Sequence, residues 1–259
     1  MTDTEVGRLW DENAPVWTRL ARAGYDVDRD WINTPAFLAM LPDVAGLEGL
    51  DLGCGEGHNT RRVAARGARM TAVDISPRFA ALARQAEAPE PHGIRYLAAS
   101  AQALPFPAGT FDFAMATMSL MDLPQPAAAL REAHRVVRPG GFLQFSILHP
   151  CFNTPYRRLV RNAEGNPRCV EVADYFASVE RVDEWLFSAA PPEAKQGLRP
   201  FRVPYFHRTL SWWLNAIIEA GFTLERVEEP YADEETARRC PAVADTRVTA
   251  YFLHLRCRR

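Results

Sequence analysis

Gly49-Leu-Asp-Leu-Gly-Cys-Gly-Glu-Gly57 constrains this chain more than any other stretch. Leu50 and Leu52 around Asp51 read as the end of a buried strand, which runs into a glycine-dense turn and then a helix. Four glycines in nine residues are too many for the interior of a helix or strand. Glycine there lets the backbone take positive φ and lets a ligand come close to the main chain. Asp51 puts an acid beside that turn. A fold that holds a cofactor against its own backbone uses such a strand, turn and helix in succession.

The surrounding sequence predicts the same class of fold. Trp10, Val16, Trp17 and Leu20 share one helical face, and residues 35–41 read as a second helix with Thr34 as its cap. Strands then alternate with helices. Strands are expected at 49–52, 70–73, 94–98, 111–117 and 142–148; helices at 60–66, after Ser76-Pro77, and at 127–137. This alternation predicts a parallel sheet with helices on both faces. From 150 to 208 the rhythm breaks into a stretch rich in proline, aromatics and charge, too long for a simple connection. Residues 210–220 return as an amphipathic helix, and 222–229 and 247–256 alternate as a final antiparallel hairpin. The predicted organisation is a helical cap over 1–46, a cofactor-binding core over 47–149, an inserted lid over 150–208, and a helix and hairpin over 209–259 that complete the core.

Bulk properties narrow the function. The 259 residues, 47% hydrophobic, suffice for one large α/β domain with an insertion. A net charge of -2 offers no basic field for nucleic acid, and Arg61-Arg62 and Arg157-Arg158 read as solvated faces. No apolar run reaches bilayer-spanning length, and the acidic start lacks a signal-peptide core. Five cysteines without a Cys-x-x-Cys pair predict neither a disulfide framework nor a zinc site, and point to a reducing cytoplasm.

The glycine spacing argues against a dinucleotide. Its fingerprint is G-x-G-x-x-G, whereas here the glycines stand at 53, 55 and 57 and His58 takes the third position. Asp74, ending the second strand, is placed to accept hydrogen bonds from two ribose hydroxyls; the plainer reading is an acid at the start of the next helix.

Leu50-Asp-Leu-Gly-Cys-Gly-Glu-Gly57 resembles the first motif of class I S-adenosylmethionine-dependent methyltransferases, and Val73-Asp-Ile-Ser-Pro77 resembles their acidic ribose motif. Ala101-Gln-Ala-Leu-Pro-Phe-Pro-Ala-Gly-Thr-Phe-Asp112 is similar to the run before their fourth strand. Leu130-Arg-Glu-Ala-His-Arg-Val-Val-Arg-Pro-Gly-Gly141 is similar to the helix and turn before their fifth. Trp10 to Ala14, Ala23 to Asp26, His149 to Phe152, Tyr205 to Thr209 and Glu219 to Phe222 resemble a small-molecule subgroup, type 11-like. The resemblance implies a Rossmann-like α/β fold with a seven-stranded, mostly parallel sheet and an antiparallel C-terminal hairpin. It also implies S-adenosyl-L-methionine as methyl donor and S-adenosyl-L-homocysteine as product.

The resemblance also implies roles. Gly53, Gly55 and the turn backbone lie against the methionine part of the cofactor, with Asp51 approaching its amino group. Asp74 holds the ribose, Ile75 covers the adenine, and Met118 sits near the methionine end. The family's usual Asp after strand three is Ser100 here, so Ser100, Ala101 and Gln102 offer a hydroxyl, a backbone N–H and an amide instead. Cys54 reads as a packing residue. His58 and Asn59 either cap the next helix or touch the ligand, and Met118 and Met121 either fill core or line a pocket.

Methyl transfer from a sulfonium is an in-line displacement, so the protein chiefly positions the acceptor and excludes water. A base is needed only where the acceptor keeps its proton at neutral pH. The candidates are His149, directly after strand five, and His207, near the end of the insertion, with Tyr25 capping the cofactor from the N-terminal helices. Tyr205, Phe206, Trp185 and Met121 are candidate acceptor contacts. Further aromatics (Tyr156, Tyr175, Phe176, Phe187 and Phe201 in the insertion; Trp17, Trp31 and Phe37 before it) favour a flat or apolar acceptor. The expected reaction is methylation of a small aromatic or heterocyclic metabolite on O, N or carbon. A nucleic-acid or protein methyltransferase is disfavoured by the charge and by Thr117-Met-Ser-Leu120, where base-amino methyltransferases resemble Asn/Asp-Pro-Pro-Tyr. A non-catalytic cofactor-binding protein would keep the same Asp51, glycines and Asp74. No metal is expected, Asp122 and His149 being the nearest pair of ligand types; nor is a nucleic-acid or membrane partner.

Overall fold

The computed structural model describes every residue from Met1 to Arg259. Helix α1 (Asp3–Arg22) opens with a capping box, in which Thr2 and Glu5 satisfy each other's backbone N–H. A turn of π pitch, Arg29–Asn33, runs directly into α2 (Thr34–Met40). Thr34 is therefore not the cap expected of it; its hydroxyl bonds the Asn59 side chain instead. Alternation follows: β1 (Glu48–Leu52), α3 (His58–Ala64), β2 (Arg69–Asp74), α4 (Pro77–Glu87), β3 (Arg95–Ala98), β4 (Phe111–Thr117), α5 (Pro126–Val136) and β5 (Val137–Leu148). Ser76 caps α4 as its position predicts, accepting from Phe79 N at 3.1 Å.

Residues 150–208 hold two antiparallel hairpins that the sequence pattern did not reveal. One pairs β6 (Tyr156–Arg161) with β7 (Pro167–Ala173). The other pairs β8 (Glu180–Trp185), across the short helix α6 (Pro192–Lys195), with β9 (Phe201–Phe206). The chain then forms α7 (Leu210–Glu219), β10 (Thr223–Glu228), α8 (Glu234–Arg239) and β11 (Phe252–Arg258). The last two strands pair antiparallel as expected, with α8 and a 3-10 turn, Pro241–Arg247, between them; the second strand starts later than expected because Arg247 belongs to that turn.

The main sheet has seven strands in the order β10-β11-β5-β4-β1-β2-β3, antiparallel only where β11 meets β5 and β10. Period-two alternation buries both faces. Leu50, Leu52, Ala114, Ala116, Leu143, Phe145 and Ile147 pack with α5 and α7. Met70, Phe113, Met115 and Phe142 pack with Phe37 and Val63 on the other side. Gly49 belongs to this packing rather than to a ligand: a Cβ there would lie 2.3 Å from Phe113 and 2.5 Å from Met70. Strand β1 pairs with β2 on one side and β4 on the other, so the chain reverses direction across the sheet at this point. The carboxyl ends of β1 and β4 form the crevice where open α/β sheets bind ligands.

Candidate functional site

The turn after β1 is shaped by backbone demands. Gly53, Gly55 and Gly57 have φ of 71°, 55° and 80°. Gly53 N and Cys54 N both donate to the Val73 carbonyl, folding the turn over the end of β2. A Cβ on Gly53 would come within 2.4 Å of Ser119 Cβ, whereas one on Gly55 would meet nothing within 4 Å. The backbone at Gly55 thus stands open to a cavity of about 640 Å³.

Two carboxyls support the turn. Asp74 Oδ2 accepts from Gly55 N at 2.8 Å and Oδ1 from Ser76 N at 2.9 Å. Burial pushes its pKa up to about 6 against these two N–H groups. Each oxygen keeps a lone pair for a further donor, and Asp74 lines the cavity. Asp51 is 1% exposed and lies behind the turn, outside the cavity lining. Its Oδ2 accepts from Thr60 at 2.6 Å while Oδ1 has no partner, and burial raises its pKa to about 7.

Helix α1 covers this crevice. Gly7 lies against Ile75, and Asp11 accepts from Ser76 Oγ and Arg78 N. Glu56 is the junction that sequence reasoning missed. It is 4% exposed and pairs with Arg22 Nε at 3.0 Å and Arg61 NH2 at 3.1 Å, with Arg29 at 3.7 Å. Its partners lie in α1, in α3 and in the turn before α2, so only their convergence reveals it.

His58 and Asn59 both face the cavity, and neither caps α3, which begins on Gly57 without a side-chain cap. Burial, then the charges of Arg29 and Arg62, lower the His58 pKa to about 3 and keep the ring neutral. Asn59 is fixed by Thr34 and Thr117. Met118 lines the cavity with φ 55°, a strained conformation for a side-chain-bearing residue. Ala101 and Ile75 also line it.

The structure turns the polar groups of Ser100 and Gln102 away from the cavity. Ser100 Oγ accepts from Gln102 N and sits in a shallow depression beside Asp3, Thr4 and Asp11. The Gln102 amide bonds Asp3 and receives Gln125 N. Gln102 thereby links the start of α1 to the residue before α5.

The histidines separate. His149 is 3% exposed and outside the cavity. Its Nε2 meets Glu229 at 2.7 Å, tying the end of β5 to the segment after β10, and its Nδ1 accepts from Cys151 N two residues on, so both ring nitrogens are engaged. The expectation of a base at His149 is corrected on that ground. His207 lines the cavity. Its Nε2 lies 2.7 Å from the Tyr175 carbonyl, which can only accept, so Nε2 carries a proton, and Nδ1 has no hydrogen-bond partner in the protein.

Tyr25, Trp185, Tyr205, Phe206 and Met121 all line the same cavity. Tyr205 donates to the Asn153 carbonyl at 3.1 Å, under the Arg181 guanidinium at 4.1 Å, and burial holds its pKa at about 12. Trp17, Trp185, Phe187 and Phe201 pack edge-on or tilted, fixing the β8–β9 hairpin on α1. Tyr156, Tyr175, Phe176, Trp31 and Phe37 lie outside the lining. Asp122, 7% exposed, lines it, and burial pushes its carboxyl well above the usual range. Asp122 and His149 do not face one space, and no three His, Cys, Asp or Glu side chains converge as a metal site. No helix is long and apolar enough to cross a membrane.

Comparison with known proteins agrees with this geometry. Residues 50–145 match the family model described as a methyltransferase domain. The chain is 31% identical to an S-adenosylmethionine dependent methyltransferase from Mesorhizobium loti of known structure. That alignment covers 87% of this chain and 96% of the other, with a TM-score of 0.71. It is also 34% identical over 111 residues to the malonyl-[acyl-carrier protein] O-methyltransferase of Pectobacterium atrosepticum, covering 43% of this chain and 42% of that protein. Over 124 residues it is 39% identical to the demethylmenaquinone methyltransferase of Tropheryma whipplei, covering 46% and 50%. The chain thus spans no more than half the length of these curated relatives.

Proposed function

The chain belongs to the S-adenosylmethionine-dependent methyltransferases, and from that premise we propose that it methylates a small aromatic or heterocyclic acceptor held beneath the segment 150–208, which acts as a lid. The residues present fit the cofactor. The open backbone at Gly55 suits the methionine part, the spare lone pairs of Asp74 suit a ribose diol, and Ile75 and Ala101 suit the adenine. Bound there, the cofactor supplies an electrophilic methyl group; the chain orients the acceptor and excludes water.

One observation carries the acceptor reading: the cavity at the glycine turn is continuous with a space walled by Trp17, Trp185, Phe187, Tyr205 and Phe206. Such walls suit a flat ring, and the similarity to a protein named for demethylmenaquinone supports it. In this reading Tyr25 closes the cofactor side, Met118 and Met121 flank the reaction path, and His207 Nδ1 takes the acceptor's proton. The test is methyl transfer from labelled S-adenosylmethionine to ring acceptors. His207→Gln is expected to lower kcat about 10²-fold with cofactor affinity retained. Tyr205→Ala is expected to raise the acceptor KM. If either variant loses only cofactor binding, with turnover at saturation intact, its acceptor-side role is refuted.

A further inference from the structure

Asp122 ends the single 3-10 turn, Leu120–Asp122, that follows β4. That turn is held from two sides. Ser119 donates to the Leu52 carbonyl at 2.6 Å, directly beneath the glycine turn. Arg208, just beyond β9, donates to the carbonyls of Met121, Leu123 and Pro124. The glycine turn, the 3-10 turn and the end of the insertion therefore form one rigid piece, with Asp122 facing the cavity between them. The residue is 7% exposed, and its carboxyl receives no hydrogen bond or ion pair from the protein. Arg208, the cation beside it, is committed to backbone carbonyls. Buried polar groups are as a rule satisfied, and an unsatisfied one in a cavity marks a place that a ligand completes.

Resting on the methyltransferase reading, we infer that Asp122 recognises the methyl acceptor, taking a hydrogen bond from an N–H or O–H group on it and turning away acceptors that present a carboxylate there. Position supports this: Asp122 is three residues from Ser119, whose Cβ abuts Gly53. Charge supports it as well. Burial disfavours the ionised form of the Asp122 carboxyl and would penalise an acceptor's carboxylate at the same place for the same reason, whereas an N–H or O–H donor supplies the missing bond. Met121, Leu123, Phe206 and Trp213 line the same cavity, and of the polar groups near them Arg208 is held by backbone carbonyls while His207 serves the acceptor's proton in the proposed function.

The test uses two probes of one ring system, 2-naphthol and 2-naphthoate, titrated calorimetrically into the full chain loaded with S-adenosyl-L-homocysteine. Wild type is expected to bind the naphthol at least about tenfold more tightly than the naphthoate, the discrimination of a site built for a donor. Asp122→Asn is expected to reduce that ratio below about threefold and to melt no lower than wild type, since the carboxyl makes no bond the fold depends on. Equal binding of the two probes, binding of neither, or an unchanged ratio in the variant would overturn the inference. So would a clear drop in melting temperature, which would make Asp122 structural, or a loss of S-adenosylmethionine affinity with the ratio intact, which would assign it to the donor. Failure of the proposed function is separable. Methyl transfer to ring acceptors with unaltered Asp122→Asn selectivity removes only this inference; selective naphthol binding without methyl transfer to any ring acceptor strikes only the activity.

Discussion

Asp51 and Asp74 stand on neighbouring strands beside one turn, yet one has a bare oxygen and the other has both oxygens bonded. Asp74→Ala removes the clamp on Gly55 and the ribose acceptor together. Hydrogen bonds to a charged group contribute about 1.5–3 kcal/mol, so S-adenosylmethionine affinity should fall about 10- to 100-fold. Calorimetry giving a Kd within twofold of wild type would exclude Asp74 from the cofactor. Asp51 makes a pH prediction. Its pKa rises from 3.8 to about 7 on folding, so between these values the native state holds the extra proton and stability falls as pH rises. Asp51→Asn lacks this dependence. Wild type should therefore lose stability relative to the variant as pH increases from 4 to 7.5 in urea titrations without ligand; a constant difference would contradict the burial. Both aspartates were legible because their neighbours in sequence mark them. Asp122 stood out in the sequence only as half of the nearest pair of metal-ligand types, with no metal expected, because its meaning depends on what does not touch it.

At the level of elements, the glycine turn is the least tolerant piece. Gly53→Ala combines a φ of 71° with a methyl 2.4 Å from Ser119 Cβ. It should destabilise by about 1–3 kcal/mol and displace the Ser119–Leu52 contact. Gly55→Ala meets open space, so its cost should be the smaller φ penalty alone, with cofactor affinity hit harder than stability. Denaturant midpoints and titrations of the two variants distinguish these outcomes, and equal stability losses would contradict the packing. The βα rhythm was legible because strands buried on both faces read as apolar runs and Ser76-Pro77 marks a helix start. The hairpins of 150–208 were not. Strands such as Tyr156–Arg161 and Glu180–Trp185 are largely charged and partly exposed, and pair by long-range register rather than by an apolar pattern. Thr34 was misread as a cap because a preceding π turn, which leaves no sequence mark, already supplies the helix start.

Across the whole molecule, α1 joins parts that the chain separates widely. Asn13 exchanges two hydrogen bonds with the Arg202 backbone on β9, Asp11 holds α4, and Glu56 draws in Arg22, Arg29 and Arg61. Glu56→Ala should cost about 2 kcal/mol, less than a fully buried pair because Arg22 and Arg61 keep contact with water. Hydrogen exchange should then speed up in α1 while β1, β4 and β5 stay protected. Uniform loss of protection would show that α1 is no separate cover.

The sequence by itself determined the cofactor half: glycine spacing, strand-end acids and helix starts are local, because each is set by the backbone conformation of its own few residues. Tertiary structure decided the other half. It separated His207, with a free ring nitrogen in the cavity, from His149, locked against Glu229. It turned Ser100 and Gln102 away, gathered three arginines on Glu56, and left Asp122 without a partner. Each of these depends on which distant groups meet in three dimensions. The satisfaction of a buried polar atom is a property of its surroundings in space, and no window of sequence contains them.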